Sequence, residues 1–507
     1  MPLNLSNRDQ NSGHLFYNRR LRAALTRFSV RMRHDDRKQQ AAVALSLVFV
    51  LLGCGWMALL NVMKPAGLVG QSVIVGNRDT GALYADIGGR LHPALNLSSA
   101  RLATGSASSP TWVKSREIDK YPTGPMIGIP GIPDELAISA NPLSAWAICD
   151  TAPARSTGAT VTVTTIAGEI SGGGRATPMT PAQAILAVHR GATHLIWNGQ
   201  RSRLDPTDRA VTFNLGLDPG ATRPIAMSDA LFDALPATEP LVVPPIPAAG
   251  SPSRLLTGSV VGRVLQTRDA NGELSGFYVL LADGVQRVSA FVADLLRTAN
   301  SRGATAPQLV SPDVLVGIPE VEVLPVGSYP TGKLEFVDTA ANPVSCVAWS
   351  KLATDPQAGV RVFSGRGLPT PPALDSRLVA LVRDTAAGAG RGGDPDSVEA
   401  QQTLILPGAA TFVATTSAAP VSDTRESHYW ISPQGVRYGI SRDRDTLQAL
   451  GIDPARALQA PWPMIRTFAA GPSISRVDAL LARDAINPAG PAIALSGPGN
   501  QRGGGAG

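Results

Sequence analysis

Residues 41–63 read AAVALSLVFVLLGCGWMALLNVM, 23 positions without a charged side chain. As a helix rising about 1.5 Å per residue, this run is about 34 Å long, enough to cross a hydrocarbon core of about 30 Å. Trp56, Asn61 and Lys64 stand towards its far end, where a membrane interface accepts polar atoms. A cleaved signal peptide would carry a shorter apolar stretch, roughly 7–15 residues, nearer the N-terminus and closed by a small-residue cleavage site. Here 40 residues come first, so the run is read as an uncleaved anchor. No second run of this kind recurs, which excludes a multi-span transporter.

The charge on either side orients the anchor. Residues 1–38 hold nine basic groups, Arg8, Arg19, Arg20, Arg22, Arg27, Arg31, Arg33, Arg37 and Lys38, against three acids. Only Lys64 and Arg78 follow the span closely. The positive-inside bias therefore predicts a cytoplasmic N-terminus, with the bulk of the chain beyond the membrane. Leu21, Leu25, Phe28 and Met32 recur at helical spacing among Arg19, Arg20 and Arg22. That pattern suits a basic helix lying on an anionic bilayer or docking on a partner; a solvated flank that merely sets topology is the plainer reading. Outside these segments 35 basic groups face 36 acidic ones. A nucleic-acid binder needs a basic face to displace phosphate counterions, and this body has no charge excess for one.

Of three cysteines, Cys54 lies in the span, while Cys149 and Cys346 fall beyond it, where disulfides persist. Their settings match. Asn141-Pro142-Leu143-Ser144 precedes Trp146 and Cys149, and Asn342-Pro343-Val344-Ser345 precedes Cys346 and Trp349. Tyr-Pro-Thr-Gly stands upstream of each, at 121–124 and 329–332. The two strands meet if the cysteines join; two buried free thiols are the rival reading.

Beyond the membrane a short unit occurs four times, at Leu83–Arg90, His194–Arg201, Tyr278–Val285 and Tyr429–Val436. Each is apolar, then turns at a glycine, then runs on. Asn198-Gly199 and Asp283-Gly284 supply the positive φ of tight hairpins. Ser228, Ser289 and Ser475 open short helix-like segments. The second and fourth copies share a later Leu-Gly-x-Asp-Pro, at Leu215–Pro219 and Leu450–Pro454. The glycines at 89, 199, 284 and 435 are unevenly spaced, which argues against a stacked solenoid. The fold class is therefore α+β, with small β-rich modules set around a core formed by residues 116–180 and 306–420. Thr160–Ile166 and Val321–Val323 alternate as strands. Pro236–Ser253, Pro369–Asp375 and Ala386–Asp396 read as linkers, and the Gly/Pro-rich tail from Ile486 as disordered.

Chemistry is sparse. Gly327-Ser-Tyr-Pro-Thr-Gly332-Lys333 matches part of a phosphate loop, but Leu334 stands where a magnesium-binding Ser or Thr belongs. Strand-like residues follow where a helix is required. His189 and His194 are five apart and miss one helical face, so no metal site is expected. No G-x-S-x-G elbow occurs.

Several long stretches carry a resemblance: the basic arm and span, His92–Leu102 (HPALNLSSARL), Gly128-Ile-Pro-Gly131, Trp146-Ala-Ile-Cys-Asp150, Leu231-Phe-Asp-Ala-Leu-Pro236, Pro245–Gly250 and Gly471–Arg476. From about Gln10 to Asp484 the chain resembles the EccB family, single-span components of mycobacterial type VII (ESX) secretion systems. The resemblance implies an elongated periplasmic region with a core, four repeat modules and a Cys149–Cys346 bridge. On this sequence the divisions are read as 1–40 cytoplasmic arm, 41–63 span, 64–115 first repeat, 116–180 core, 181–255 second repeat, 256–305 third repeat, 306–420 core, 421–485 fourth repeat and 486–507 tail. It implies homo-oligomerisation in the inner membrane with EccC, EccD, EccE and a mycosin protease, and export of ESX and PE/PPE-type cargo. No cofactor is expected. The family has been labelled as ATPases, which would make ATP a ligand of Gly327, Gly332 and Lys333; ATP is normally scarce beyond the membrane. A cell-wall binding module is the third class.

Overall fold

The computed structural model describes residues 8–28, 33–63, 69–152, 161–218, 220, 222–381 and 398–485. Met32, Lys64, Thr160, Pro219, the loop 386–396 and the tail from 486 lie outside the described residues. The N-terminal arm is a helix, Arg8–Arg27, and a second helix runs Arg33–Met63. Its stretch Gln40–Met57 is long and apolar enough to cross a membrane, with none of that stretch buried against protein. The helix begins well before the apolar run because no proline or glycine breaks the polar residues ahead of it.

Four sheets share one pairing scheme. In each, three antiparallel strands form a meander, a helix follows, and a short strand returns parallel to the first. The meanders are Ile74–Asn77, Leu83–Ile87 and Arg90–Ala94; then Gln183–His189, Ala192–Trp197 and Gln200–Leu204; then Val264–Arg268, Leu274–Leu280 and Val285–Val288; and finally Phe412–Thr416, His428–Ile431 and Val436–Ile440. The returning strands are Thr111–Val113, Ile225–Ala226, Gln308–Leu309 and Leu458–Pro461. The hairpin between the second and third strands contains the sequence unit seen four times.

Local chemistry explains these turns. Asn198 and Gly199 have φ of 45° and 76°, the left-handed pair a two-residue hairpin needs. Gly284 differs from the expectation. It has no positive φ; a Cβ there would lie 2.4 Å from the Pro319 carbonyl oxygen, so the glycine admits the neighbouring chain segment. Ser228, Ser289 and Ser475 accept hydrogen bonds from the amides of Leu231, Val292 and Asp478, capping three helices.

A fifth sheet of seven strands joins distant parts of the chain. Its order is Val379–Ala380, Gln402–Ile405, Thr162–Ala167, Leu143–Thr151, Val344–Leu352, Gly359–Gly365 and Ala176–Pro178. One face carries Trp146, Ile148, Val347 and Trp349, covered by the helices Asp229–Ala234 and Trp462–Ile465 from the second and fourth meander sheets. The other carries Ala147, Cys149, Ile166, Cys346 and Phe363, capped by Leu368, Leu374 and Leu378.

Two expected elements differ. The linker reading of 236–253 fails at Ala237–Leu241, which is a strand parallel to Gln200–Leu204; Pro240 is accommodated there because the strand is an edge. The residues 321–323 are not a strand, because the Gln286 side chain takes the amides of Val323 and Leu324 that a strand would share with its neighbour.

Candidate functional site

The strongest constraint in the chain lies at the centre of the seven-stranded sheet. Leu143–Thr151 and Val344–Leu352 pair antiparallel over nine residues, and the register sets Cys149 directly opposite Cys346 and Trp146 opposite Trp349. The cysteines are bonded across a separation of 197 residues, and both are fully buried. The matched sequence settings of the two cysteines are thus the two halves of one strand pair. Because side chains alternate along a strand, the disulfide faces one layer and the tryptophans the other.

Asp150 follows Cys149 and points into the tryptophan-bearing layer's buried interior. It accepts hydrogen bonds from the Ser228 amide at 2.7 Å and the Ser228 hydroxyl at 2.7 Å. Burial pushes its carboxyl up to about 7, and the two Ser228 bonds only partly oppose that. Asp150 thus ties the central sheet to the helix Asp229–Ala234. At the same helix start, Asp229 pairs with His189 at 2.5 Å and with Arg190 at 2.6 Å. Burial alone would raise the Asp229 carboxyl, but its bonds to Arg190 and His189 hold it below the ordinary range. Phe232 stacks on His189, and the Arg201 guanidinium lies 3.6 Å above the centre of the Phe232 ring. Arg466, beside the helix Trp462–Ile465, pairs with Asp233, so the two covering helices are joined to each other. His189 and His194, weighed earlier as metal ligands, both pack against Phe232. The pairing of Asp150 with Ser228 was not read from sequence, where Ser228 stood only as a helix start; the signal was a lone carboxylate ending an apolar strand run.

The Gly327–Lys333 segment is a turn that runs into the two-residue strand Glu335–Phe336. A phosphate cradle needs amides converging at a helix start. Here the segment presents carbonyls: the Ser289 hydroxyl donates to the Pro330 oxygen and the Phe291 amide to the Thr331 oxygen, so the helix Ala290–Ala299 has its start filled by this turn. Tyr329 is buried, its hydroxyl bonded to the carbonyls of Pro240 and Val242 at 3.0 and 2.9 Å. Gly327 and Lys333 are exposed and Gly332 is half-buried, with Glu320 and Glu322 lining the same groove as Gly327. The ATP hydrolase alternative is not favoured by this arrangement. In the arm, Arg19, Arg20, Leu21, Arg22, Leu25 and Phe28 are all exposed, so the apolar stripe and the arginines are both unburied by the rest of the chain.

Comparison with known proteins agrees with this architecture over nearly the whole length. The family described as "Type VII secretion system ESX-1, transport TM domain B" matches residues 3–488. A Mycobacterium tuberculosis (strain ATCC 25618 / H37Rv) protein named ESX-2 secretion system ATPase EccB2 is 62% identical over 486 residues, covering 96% of this chain and 97% of the relative. A chain of an intact ESX-5 inner membrane complex superposes with a TM-score of 0.73 at 35% identity, over 98% of this chain and 99% of that one. A chain of the EccB3 dimer from the ESX-3 core complex gives 0.68 at 35% identity, over 81% and 100%. A family match of this extent, with a relative this similar along the whole length, has one conclusion: the chain belongs to the EccB family of type VII (ESX) secretion system membrane components.

Proposed function

We propose that this protein is a structural, membrane-anchored subunit of a type VII secretion machine, holding a rigid extracytoplasmic scaffold against the inner membrane. The observation that carries this reading is the stapled central sheet. Strands nearly 200 residues apart are bonded at Cys149–Cys346, and helices from two other sheets clasp the same layer. Such a frame transmits position rather than chemistry. The four sheets of common scheme act as repeat modules placed around it, with boundaries near 64–115, 181–255, 256–305 and 421–485. The basic arm stays in the cytoplasm, where Arg19, Arg20 and Arg22 meet anionic headgroups or a partner while Leu21, Leu25 and Phe28 dip into the apolar layer. Residues beyond the anchor are periplasmic. Relatives found in an ESX-5 inner membrane complex and an ESX-3 dimer support assembly into an oligomer. EccC, EccD, EccE and a mycosin protease are the partners this family membership suggests, and ESX and PE/PPE-type proteins the cargo.

The test is topology with assembly. Protease added outside intact spheroplasts should digest the region after the anchor and leave the arm; digestion of the arm alone would overturn the orientation. Replacement of both Cys149 and Cys346 by alanine should lower recovery of the assembled membrane complex. Unchanged recovery would remove the scaffold role of the staple. Relatives carry the word ATPase in their names; no geometry at Lys333 favours that activity here.

A further inference from the structure

The third meander sheet departs from its three counterparts at one edge. In the other three, the chain returning beside the third strand makes pairings that include two positions four residues apart. These are Thr123 and Ile127 against Leu91 and Ala94, Ala237 and Leu241 against Arg201 and Leu204, and Ala470 and Ile474 against Arg437 and Ile440. In the third sheet the first contact forms: Val285 pairs with Glu320, its amide donating to the Pro319 carbonyl at 2.8 Å and its carbonyl accepting from the Val321 amide at 2.9 Å. By the spacing of the other three, residue 324 should then lie beside Val288. It does not. The Gln286 side chain accepts from the amides of Val323 and Leu324 and donates to the Leu324 carbonyl, drawing the chain away. The chain next touches this part of the sheet at Pro330 and Thr331, on the helix start after Val288.

The detour opens a cavity of about 830 Å³ between Gln286–Ser289 and residues 320–331, within the size range of ligand pockets, roughly 300–1,000 Å³. Its inner wall is a strand edge. Val285–Val288 is the last strand of its sheet. Backbone groups of an antiparallel strand face alternate sides. Since Val285 faces the returning chain, Arg287 two residues on turns its amide and carbonyl to the same side, into the cavity. The outer wall carries Glu320 and Glu322, both exposed, and Val323, 54% exposed. Two carboxylates against the single Arg287 leave the slot with net negative charge.

We propose that this slot receives an extended segment of a partner polypeptide, alternating lysine or arginine with apolar residues, which adds as a short strand beside Arg287, where the edge is open beyond the Val285–Glu320 pair. Main-chain bonds to Arg287 supply register, Glu320 and Glu322 select the basic side chains, and Val323 and Val288 flank the apolar ones. The strand position that three sheets fill from their own chain is filled in the third from another. This inference stands on the third sheet alone and is independent of the secretion-scaffold reading.

The test uses the full chain in detergent and two fluorescein-labelled heptapeptides, one alternating lysine with valine and the other glutamate with valine, read by anisotropy. The lysine peptide should bind saturably and the glutamate peptide at least about tenfold more weakly. Arg287→Pro removes an outward amide that an edge strand can spare, and should weaken the lysine peptide at least about tenfold with the melting curve retained. Glu320→Lys combined with Glu322→Lys, on exposed positions, should invert the preference. Absence of saturable binding by the lysine peptide overturns the proposal. So does binding whose charge preference survives the double reversal, a result that decides the matter even if the proline variant does not fold.

Discussion

Removing the staple at the centre of the molecule is the perturbation whose size the structure specifies best. Cys149→Ala combined with Cys346→Ala leaves no free thiol in the central sheet. The bond closes a loop across 197 residues, for which the chain-entropy relation assigns about 5 kcal/mol to constraint of the unfolded chain. Domains are commonly stable by only about 5–15 kcal/mol, so this loss is comparable with the whole margin. At a urea slope of roughly 2 kcal/mol per M, the midpoint should fall by about 2.5 M. The reporters are built in: Trp146 and Trp349 are 1% and 2% exposed and sit opposite each other on the same strand pair, so their emission shifts red when that pair opens. The assay is urea titration of the full chain in detergent, followed by tryptophan fluorescence, for oxidised parent and double variant. A midpoint shift equivalent to less than about 1 kcal/mol, with unchanged emission, would show that pairing and apolar packing hold the two strands without the bond.

Three further expectations follow from particular groups. Asp150 titrates near 7 when folded against an ordinary 3.8, so the native state keeps a proton that the unfolded chain releases between those values; its contribution is full below about pH 4 and is lost as pH rises through 7, by up to about 4 kcal/mol. Asp150→Asn should flatten that part of the stability–pH curve, and parallel curves for parent and variant would refute the assignment. Tyr329→Phe leaves the Pro240 and Val242 carbonyls without their phenolic donor and should destabilise by about 1–3 kcal/mol in the same titration; an unchanged midpoint would show that water replaces the hydroxyl. Lys333→Ala, at an exposed position, should change stability by less than about 0.5 kcal/mol and leave any retention on immobilised ATP as it is in the parent; selective loss of retention would restore the phosphate-loop reading.

The anchor, the hairpins and the cysteine pair were legible because each is a local pattern. An uncharged run of membrane length has few other uses, and Asn198-Gly199 is a turn on its own chemistry. The matched surroundings of Cys149 and Cys346 were legible for a related reason: Asn-Pro-x-Ser ahead of each and a tryptophan three residues away are local features of the chain. Two local readings misled. Gly284 looked like a turn glycine and is one by position, but its small size matters for a carbonyl belonging to residue 319. The residues 321–323 alternate like a strand, yet the amides of Val323 and the following Leu324 are captured by the Gln286 side chain.

By itself, the sequence determined which run is long and apolar enough to cross a membrane, that Asn198-Gly199 makes a tight turn, which helices are capped by serine, and that the charge of the bulk is evenly balanced. Only the tertiary structure decided that Asp150 meets Ser228, that helices from two separate sheets clasp one tryptophan layer, and that the third sheet leaves an edge open. The physical reason is range. Caps, turns and hydropathy act within a few residues, whereas burial of a carboxylate and completion of a sheet edge depend on groups tens to hundreds of positions away, brought together only once the chain has folded.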